Sequence, residues 1–186
     1  VSLNGTIANK QLCAGNSLAI DISSFLNGAD INTTYQWRLN NIDLTEVSAK
    51  TNSLSLLNIT KSKEGAYSVI TNNSCGASTL ALFNASINTA PEITTQPIVG
   101  LVCEGATFTN NVIANNSLQL PLSYQWYKDG NSITNNANAQ QLILQNIGTS
   151  DQGLYAVRVS NNCGTTQSSS ARLSLIGNPV ITLQPT

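Results

Sequence analysis

Apolar and polar residues alternate in short runs along most of the chain. Leu18, Ile20 and Ile22 form one such run, and Leu142 and Leu144 begin another. A period of two residues is typical of a β-strand with one buried face, and turn-forming Gly, Pro and Asn residues separate the runs. No segment keeps the 3.6-residue period of an amphipathic helix over a useful length. The pattern therefore predicts an all-β fold made of short strands.

The whole pattern occurs twice. The stretch G-A-Y-S-V-I-T-N-N-S-C-G at Gly65 returns as G-L-Y-A-V-R-V-S-N-N-C-G at Gly153. Marker residues of the first half reappear 88 to 90 positions later: Cys13 as Cys103, Trp37 as Trp126, Gly65 as Gly153, Tyr67 as Tyr155 and Cys75 as Cys163. A period of this length is that of a small domain rather than a solenoid unit. We predict two domains, residues 1–89 and 90–177.

The last residues repeat the beginning of the second domain. Pro179-Val-Ile-Thr-Leu-Gln-Pro185 matches Pro91-Glu-Ile-Thr-Thr-Gln-Pro97 at the same period. We expect residues 178–186 to be the first strand of a following repeat, or a strand donated to another subunit.

One polar residue interrupts the alternation in the second domain. Asn110 occupies the inward position that Ile20 holds in the first. Two interpretations remain open: the amide is buried and hydrogen-bonded, or a β-bulge shifts the register.

The composition excludes several classes of function. Charged residues make up 9% of the 186 residues, with Lys+Arg 8 against Asp+Glu 9, and there is no His. Nucleic acids and anionic membranes attract basic patches, so we expect neither as a partner. No apolar run approaches the ~20 residues of a membrane-spanning helix. Without His, and with few acids, the chain offers no nucleophile–base constellation. We therefore expect no catalytic residues, no cofactor and no metal, and we interpret Asp129-Gly130 as a hairpin turn rather than a calcium loop.

The four cysteines indicate disulfide chemistry. Cys13, Cys75, Cys103 and Cys163 lie too far apart for the paired ligands of a zinc site. An even number of cysteines in such a polar chain is typical of an oxidising compartment. Together with Val1 in place of an initiator Met, this favours a secreted, extracellular or cell-surface protein.

An aromatic strand followed about 30 residues later by Gly-x-Tyr resembles an immunoglobulin-like β-sandwich of about seven strands. Asp151-Gln-Gly-Leu-Tyr155 matches that family's D-x-G-x-Y corner, whereas Lys63 replaces the Asp in the first repeat. The resemblance implies that Trp37 and Trp126 fill the cores and that the hydroxyls of Tyr67 and Tyr155 cap loop backbone. The motifs C-x-G, Y-Q-W, G-x-Y and V-x-N-x-C-G together resemble the repeats of Bacteroidetes-type surface adhesins. Those proteins use type IX secretion, and some serve gliding motility.

The cysteines depart from the antibody-type arrangement. Val69 and Val157 stand where that arrangement has its second Cys, and Ile22 and Val112 stand opposite. We expect apolar packing in place of the central disulfide.

The topology that the resemblance implies also constrains the pairing of the actual cysteines. It places Cys13 and Cys75 at opposite ends of one sandwich, on the order of 25 Å apart for strands of ~7 residues. A disulfide requires Cα atoms within about 7 Å. End-to-end stacking of the domains would bring Cys13 beside Cys163. We predict this interdomain disulfide, with Cys75 and Cys103 reaching neighbouring repeats or staying free. The alternative is the intradomain pairing Cys13–Cys75 and Cys103–Cys163.

These features favour a structural or adhesive array of repeats that forms a stiff surface rod or filament. The expected partners are neighbouring repeats or subunits of the same protein, with a surface glycan or protein as a further option. The alternative is a carbohydrate-binding accessory module of a secreted enzyme. That role needs a row of exposed aromatic residues, for which exposed Tyr127 beside Lys128 is a candidate. Aromatic residues make up only 5% of the chain, so we favour a solvated strand face there.

Overall fold

The computed structural model describes residues 2–3, 7–27, 32–134 and 138–177; the predicted strand 178–186 lies outside the described residues. The chain divides into two compact units, Val1–Thr89 and Ala90–Thr186. Across the described ranges the regular structure is strand, with short 3-10 turns and no α-helix. The turns are Ser23–Phe25, Val47–Lys50, Lys61–Lys63 and Thr149–Asp151. The prediction of an all-β fold is confirmed.

The first unit is a two-layered β-sandwich. Its strands in the described residues are β1 (Ser2–Leu3), β2 (Lys10–Cys13), β3 (Leu18–Asp21), β4 (Leu26–Asn27), β5 (Thr34–Leu39), β6 (Ile42–Asp43), β7 (Ser53–Leu56), β8 (Gly65–Asn73) and β9 (Gly76–Asn88). One sheet has the order β2-β9-β8-β5-β6, in which β2 runs parallel to β9. The antiparallel pair β3–β7 packs across the core from it, and β1 pairs with β4.

The second unit repeats this plan. Its strands are β10 (Glu92–Thr95), β11 (Gly100–Cys103), β12 (Phe108–Asn111), β13 (Ile113–Asn115), β14 (Ser123–Lys128), β15 (Asn131–Ser132), β16 (Gln141–Leu144), β17 (Gly153–Asn161), β18 (Gly164–Gln167) and β19 (Ala171–Ile176). The larger sheet has the order β11-β19-β17-β14-β15, with β18 also on β17. The pairs β12–β16 and β10–β13 complete the unit.

Each unit has its own hydrophobic core, because alternate residues of facing strands point inward. Trp37 and Trp126 are fully buried at the centres of the two cores. The positions that hold the disulfide in antibody-type domains are occupied by fully buried aliphatic side chains: Ile22 and Val69 in the first unit, Val112 and Val157 in the second. Burial of aliphatic surface therefore takes the place of that cross-link.

Asn110 is a buried, hydrogen-bonded amide. Its side chain is 1% exposed, its Oδ1 accepts the N–H of Ile98 at 3.0 Å, and its Nδ2 donates to the carbonyl of Ile98 at 3.0 Å. The β12–β16 register continues from Phe108 to Asn111 without a shift. Of the two interpretations that the sequence left open, the buried amide is therefore the one observed.

Two-residue hairpins connect the aromatic strand of each unit to the next short strand. Asn40 and Asn41 have φ of 51° and 66°, and Asp129 and Gly130 have φ of 48° and 83°. Two successive positive φ values define the type I′ turn, whose twist matches that of paired strands, and Asn and Asp tolerate it.

The glycine of the Gly-x-Tyr motif makes room for the side chain of this hairpin. Asn40 Oδ1 accepts the N–H of Ala66 at 2.9 Å, and a Cβ on Gly65 would lie 2.3 Å from that oxygen. On Gly153, the equivalent residue, a Cβ would lie 2.4 Å from a carboxylate oxygen of Asp129. Both glycines also have positive φ, +137° and +155°, so the motif needs glycine for two reasons.

Candidate functional site

The tyrosine of each Gly-x-Tyr motif caps a loop. The Tyr67 hydroxyl donates to the carbonyl of Lys63 at 2.8 Å, and the Tyr155 hydroxyl donates to the carbonyl of Asp151 at 2.7 Å. Both rings are buried. Tyr67 also stacks on Phe83, with ring centroids 5.0 Å apart. The motif thus closes one end of each sandwich.

Burial keeps both hydroxyls protonated. It raises the pKa of Tyr67 to about 12, with the Glu46 carboxylate adding to the effect. It raises the pKa of Tyr155 to about 12 as well, with Asp151 and Asp129 contributing. These tyrosines are structural donors over the physiological pH range.

The acidic group of the corner differs between the units. In the second, Asp151 Oδ2 accepts the N–H of Gly148 at 2.8 Å and holds the 3-10 turn. In the first, Lys63 forms an ion pair with Glu46. The hydrogen bond from Lys63 lowers the pKa of Glu46. The residue at the position of the Asp thus forms an ion pair with another loop, and its side chain makes no bond like that of Asp151.

The Gln of each Y-Q-W motif has a role that sequence reasoning missed. Gln36 Nε2 donates to the carbonyls of Trp37 and Leu44 at 2.7 and 3.0 Å. Gln125 Nε2 makes the equivalent bonds to Trp126 and Ile133 at 2.9 and 2.8 Å. The signal was present in the repeated Gln, but one of its two partners lies eight residues further along the chain.

Two of the four cysteines lie in equivalent tight turns at one end of each sandwich. The Cys75 N–H donates to Asn73 Oδ1 at 3.0 Å, and the Cys163 N–H donates to Asn161 Oδ1 at 2.8 Å. Each turn joins paired strands, β8 to β9 and β17 to β18. The Asn-rich stretch of the sequence therefore fixes the backbone of both cysteines in the same way.

The other two cysteines end the strands that run parallel to the last strand of each unit. Cys13 lies opposite Asn88, and Cys103 lies opposite Ile176. Within the first unit this separates Cys13 from Cys75 by the full length of β9, because Cys75 immediately precedes Gly76. Thirteen residues of strand span about 40 Å at ~3.3 Å per residue. The separation exceeds the sequence-based expectation, because β9 is longer than the assumed strand.

The four thiols differ in oxidation state. Cys13 and Cys163 are disulfide-bonded, whereas Cys75 and Cys103 are free and exposed. All four lie in the described residues, and the intradomain pairs Cys13–Cys75 and Cys103–Cys163 are therefore not formed.

The turn that carries Cys163 packs on the segment with which the second unit begins. A Cβ on Gly164 would lie 3.1 Å from the Cβ of Ala90. The Thr166 hydroxyl donates to the carbonyl of Pro91 at 2.5 Å. In the first unit, by contrast, no described atom outside Gly76 and its two chain neighbours lies within 4 Å of a Cβ on Gly76. The two turns thus have the same backbone hydrogen bond, but other residues pack only on the turn of Cys163.

The expected exposed aromatic is only half exposed. The guanidinium of Arg158 lies 4.7 Å from the centroid of the Tyr127 ring and covers it. Lys128 pairs with Asp129 at 3.0 Å. Arg158 of the neighbouring strand therefore lies over one face of the ring that was the candidate for an exposed aromatic contact.

The edge strands β7 and β16 differ in what lies along their outer backbone. Ser48 Oγ accepts the N–H of Ser55 at 3.1 Å and donates to its carbonyl at 3.0 Å, so a side chain covers the edge of β7. Along β16 lies an open groove of uncharged residues: Asn138, Ala139, Gln141, Ile143 and Gln145. None of these residues at the two edges has an ionisable side chain.

The described residues contain no group of three or more His, Cys, Asp and Glu side chains that could hold a metal ion. Within the same ranges, no helix has the length and apolar character needed to cross a membrane.

No family model and no curated protein matches the chain. Solved structures do match it. The I-band fragment I67–I69 from titin aligns with 93% of the chain and 64% of its own length, at 16% identity and a TM-score of 0.69. Extracellular domains 3–5 of Drosophila OTK give 95% and 62%, at 17% identity and 0.58. The insect immune protein hemolin gives 94% and 46%, at 15% identity and 0.55. The chain thus spans less than two thirds of each of these structures.

Identities this low establish the fold alone. The protein is a pair of tandem immunoglobulin-like β-sandwiches, and the predicted fold class is confirmed.

Proposed function

We propose that this chain belongs to a structural or adhesive extracellular array whose successive immunoglobulin-like repeats are joined by disulfides into a stiff rod. In this chain the disulfide links Cys13 of the first unit to Cys163 of the second. The observation that carries the proposal is the state of the thiols. Cys13 and Cys163 are disulfide-bonded, while Cys75 and Cys103 are free.

Chain connectivity supports the pairing. Cys13 lies opposite Asn88, and Ala14 donates to the carbonyl of Asn88 at 2.9 Å. Paired strands lie about 4.8 Å apart. The turn of Cys163 packs on Ala90, and Cα atoms two positions apart in the chain are at most about 7.6 Å apart. Each cysteine is thus held near the junction by contacts inside its own unit.

A cross-link at this position would restrict bending. The chain passes from β9 to β10 through three residues, so the peptide backbone is one short tether. A disulfide beside it would be a second tether, and two tethers would oppose rotation about either one. The core of each unit is complete without this bond, so we assign the bond a mechanical role between units.

An extracellular location accords with an oxidised cysteine pair, because cytosolic thiols are kept reduced. The resemblance of the repeat motifs to Bacteroidetes-type surface adhesins supports the same placement. Hemolin, one of the similar structures, has a domain arrangement with implications for homophilic adhesion. Repeated modules would also present any weak site many times and so raise avidity.

The carbohydrate-binding alternative has less support. Arg158 covers Tyr127, and the residues that line the groove along β16 include no aromatic side chain. Neither of these two places therefore offers an open aromatic face for stacking a sugar ring.

The proposal is tested by measuring the spread of distances between the two units. Cys75 and Cys103 are free and exposed, one in each unit, so a nitroxide maleimide can be attached to both in the native chain. Pulsed electron–electron double resonance should give a narrow distribution of nitroxide–nitroxide distances for the native chain. The distribution should be broader for Cys13→Ser/Cys163→Ser. Equal widths in the two proteins would contradict a stiffening role.

A further inference from the structure

We infer that the outer edge of strand β16 is a contact between copies of this chain. Two copies pair antiparallel along β16, around a two-fold axis at Ile143. The partner is thus a second copy of the same strand. No cysteine takes part in this contact, so it stands apart from the proposed Cys13–Cys163 bond and adds a lateral contact to the adhesive role.

The outer edge of β16 has unpaired backbone groups. Within the described residues β16 pairs with β12 alone, and just beyond that ladder the Val112 N–H donates to the carbonyl of Gln140 at 3.2 Å. In an antiparallel pair, hydrogen-bonded residues alternate with residues whose N–H and C=O point away from the partner strand. Ile143, opposite Thr109, therefore directs both groups outward, and so does Gln141. No residue that the structure describes hydrogen-bonds these outward groups.

The equivalent edge of the first unit is closed by its own hydroxyls. Ser48 Oγ bonds both the N–H and the carbonyl of Ser55, at 3.1 and 3.0 Å. Thr51 Oγ1 does the same for Ser53, at 3.2 and 2.7 Å. Ala139 stands at the position of Thr51, because the carbonyl of each accepts the indole N–H of the buried Trp of its unit. Alanine has no hydroxyl, and an unpaired edge is a template for pairing with another chain.

The residues along the edge of β16 are self-complementary. They read Gln141-Leu-Ile-Leu-Gln145, the same in both directions. A two-fold contact requires that one surface fit its own copy. With the axis at Ile143, the two Ile143 residues would exchange both backbone hydrogen bonds. Gln141 of each copy would lie opposite Gln145 of the other, where the amides can both donate and accept.

The side chains of this face favour association with a copy of itself. Ile143 is 40% exposed in the single chain, and across the axis it would contact its counterpart. The residues that line the groove along β16 carry no charge, and neither do the exposed Thr109 and Asn111 of the adjacent strand. A charged face would repel its own copy. Edge strands are commonly protected by Lys or Pro, and β16 contains neither.

The size of the contact sets its strength. One short strand from each copy covers less than the ~800 Å² per partner of a standard interface. The dimer should therefore be weak and populated only at high protein concentration. Repeated modules would multiply such a contact, so a weak pairing suits an array.

Sedimentation velocity over a concentration series tests the inference. Cys75 and Cys103 are alkylated first, so that they cannot link chains. The full native chain should shift from monomer towards dimer between ~10 μM and ~1 mM, the range of weak association. Ile143→Lys should remain monomeric, because like charges would lie directly opposite each other at the axis. Ser55→Lys is the matched control at the equivalent exposed position of β7, and it should associate like the native chain.

An equimolar mixture of Ile143→Lys and Ile143→Glu tests the register. Each variant alone should stay monomeric, whereas the mixture should form a heterodimer, because opposite charges would then face each other across the axis. Circular dichroism should show that both variants keep the native fold, since the side chain that they replace is partly exposed. A mixture that stays monomeric would contradict a two-fold axis at Ile143.

Amide hydrogen exchange of the native chain, measured by NMR, gives a second readout. The N–H of Ser55 is already bonded and should be protected at every concentration, whereas exchange at Ile143 should slow as the dimer forms. Four results would overturn the inference: a native chain that is monomeric at ~1 mM, a dimer that Ile143→Lys leaves intact, equal loss of the dimer in Ser55→Lys, and exchange at Ile143 that does not depend on concentration. Oligomers larger than a dimer would also overturn it, because two-fold pairing closes on itself.

Discussion

Single residues explain why the two repeats keep the same fold with different chemistry. Ile20 contributes aliphatic surface to the first core, while Asn110 directs its amide to the backbone of Ile98 in the second. An unpaired buried amide would cost about 1–3 kcal/mol, so the exchange is tolerated only because Ile98 supplies both partners.

The two buried tyrosines predict a dependence of stability on alkaline pH. Their pKa is raised to about 12 in the folded protein, against about 10 in an unfolded chain. The stabilisation is therefore complete below pH 10 and is lost as pH rises from 10 through 12. Chemical denaturation should give a free energy of unfolding that falls over this window.

The control for that prediction is Tyr67→Phe/Tyr155→Phe. This variant should be less stable at neutral pH by about 1 kcal/mol for each lost hydrogen bond. Its free energy of unfolding should also fall less steeply above pH 10. An equally steep fall would mean that other groups cause the alkaline unfolding.

At the scale of the element, the corner of each sandwich depends on contacts between strands that are distant in sequence. Gly153 lies two residues before Tyr155, yet the space it leaves is filled by Asp129 of the β14–β15 hairpin. The Gly-x-Tyr motif and the type I′ turn therefore depend on each other, because the side chain of the turn packs on the glycine of the motif.

Gly153→Ala should destabilise the second unit. The backbone strain at φ +155° is of order 1–3 kcal/mol, and the added Cβ would also displace the Asp129 carboxylate from its bond to Leu154. Gly148→Ala is the matched control, because Gly148 has negative φ and open space around it. Thermal unfolding followed by circular dichroism compares them, and equal midpoints would contradict the account of the corner.

The sequence predicted the core residues of these elements, but it did not predict the contacts between strands that are distant in sequence. The Y-Q-W and Gly-x-Tyr motifs indicated the core because local alternation determines which side chains point inward. The role of Gly153 was not predictable, since its neighbour Asp129 is brought to it only by strand pairing. The cover of Tyr127 by Arg158 was missed for the same reason.

At the scale of the whole molecule, the repeat of cysteines is more informative than their number. Sequence alone left two pairings open, because the separation of Cys13 and Cys75 depends on how far β9 continues. Thirteen residues of strand make the intradomain bond geometrically impossible, since a disulfide needs Cα atoms within about 7 Å. The two cysteines of the first unit therefore lie at opposite ends of its sandwich.

The most direct test of this account is proteolytic mapping of the native monomer without reductant, after its free thiols have been alkylated. We expect one cross-linked peptide pair, Cys13 with Cys163, and quantitative alkylation of Cys75 and Cys103. Recovery of Cys13 linked to Cys75, or of Cys103 linked to Cys163, would contradict the proposed coupling between repeats.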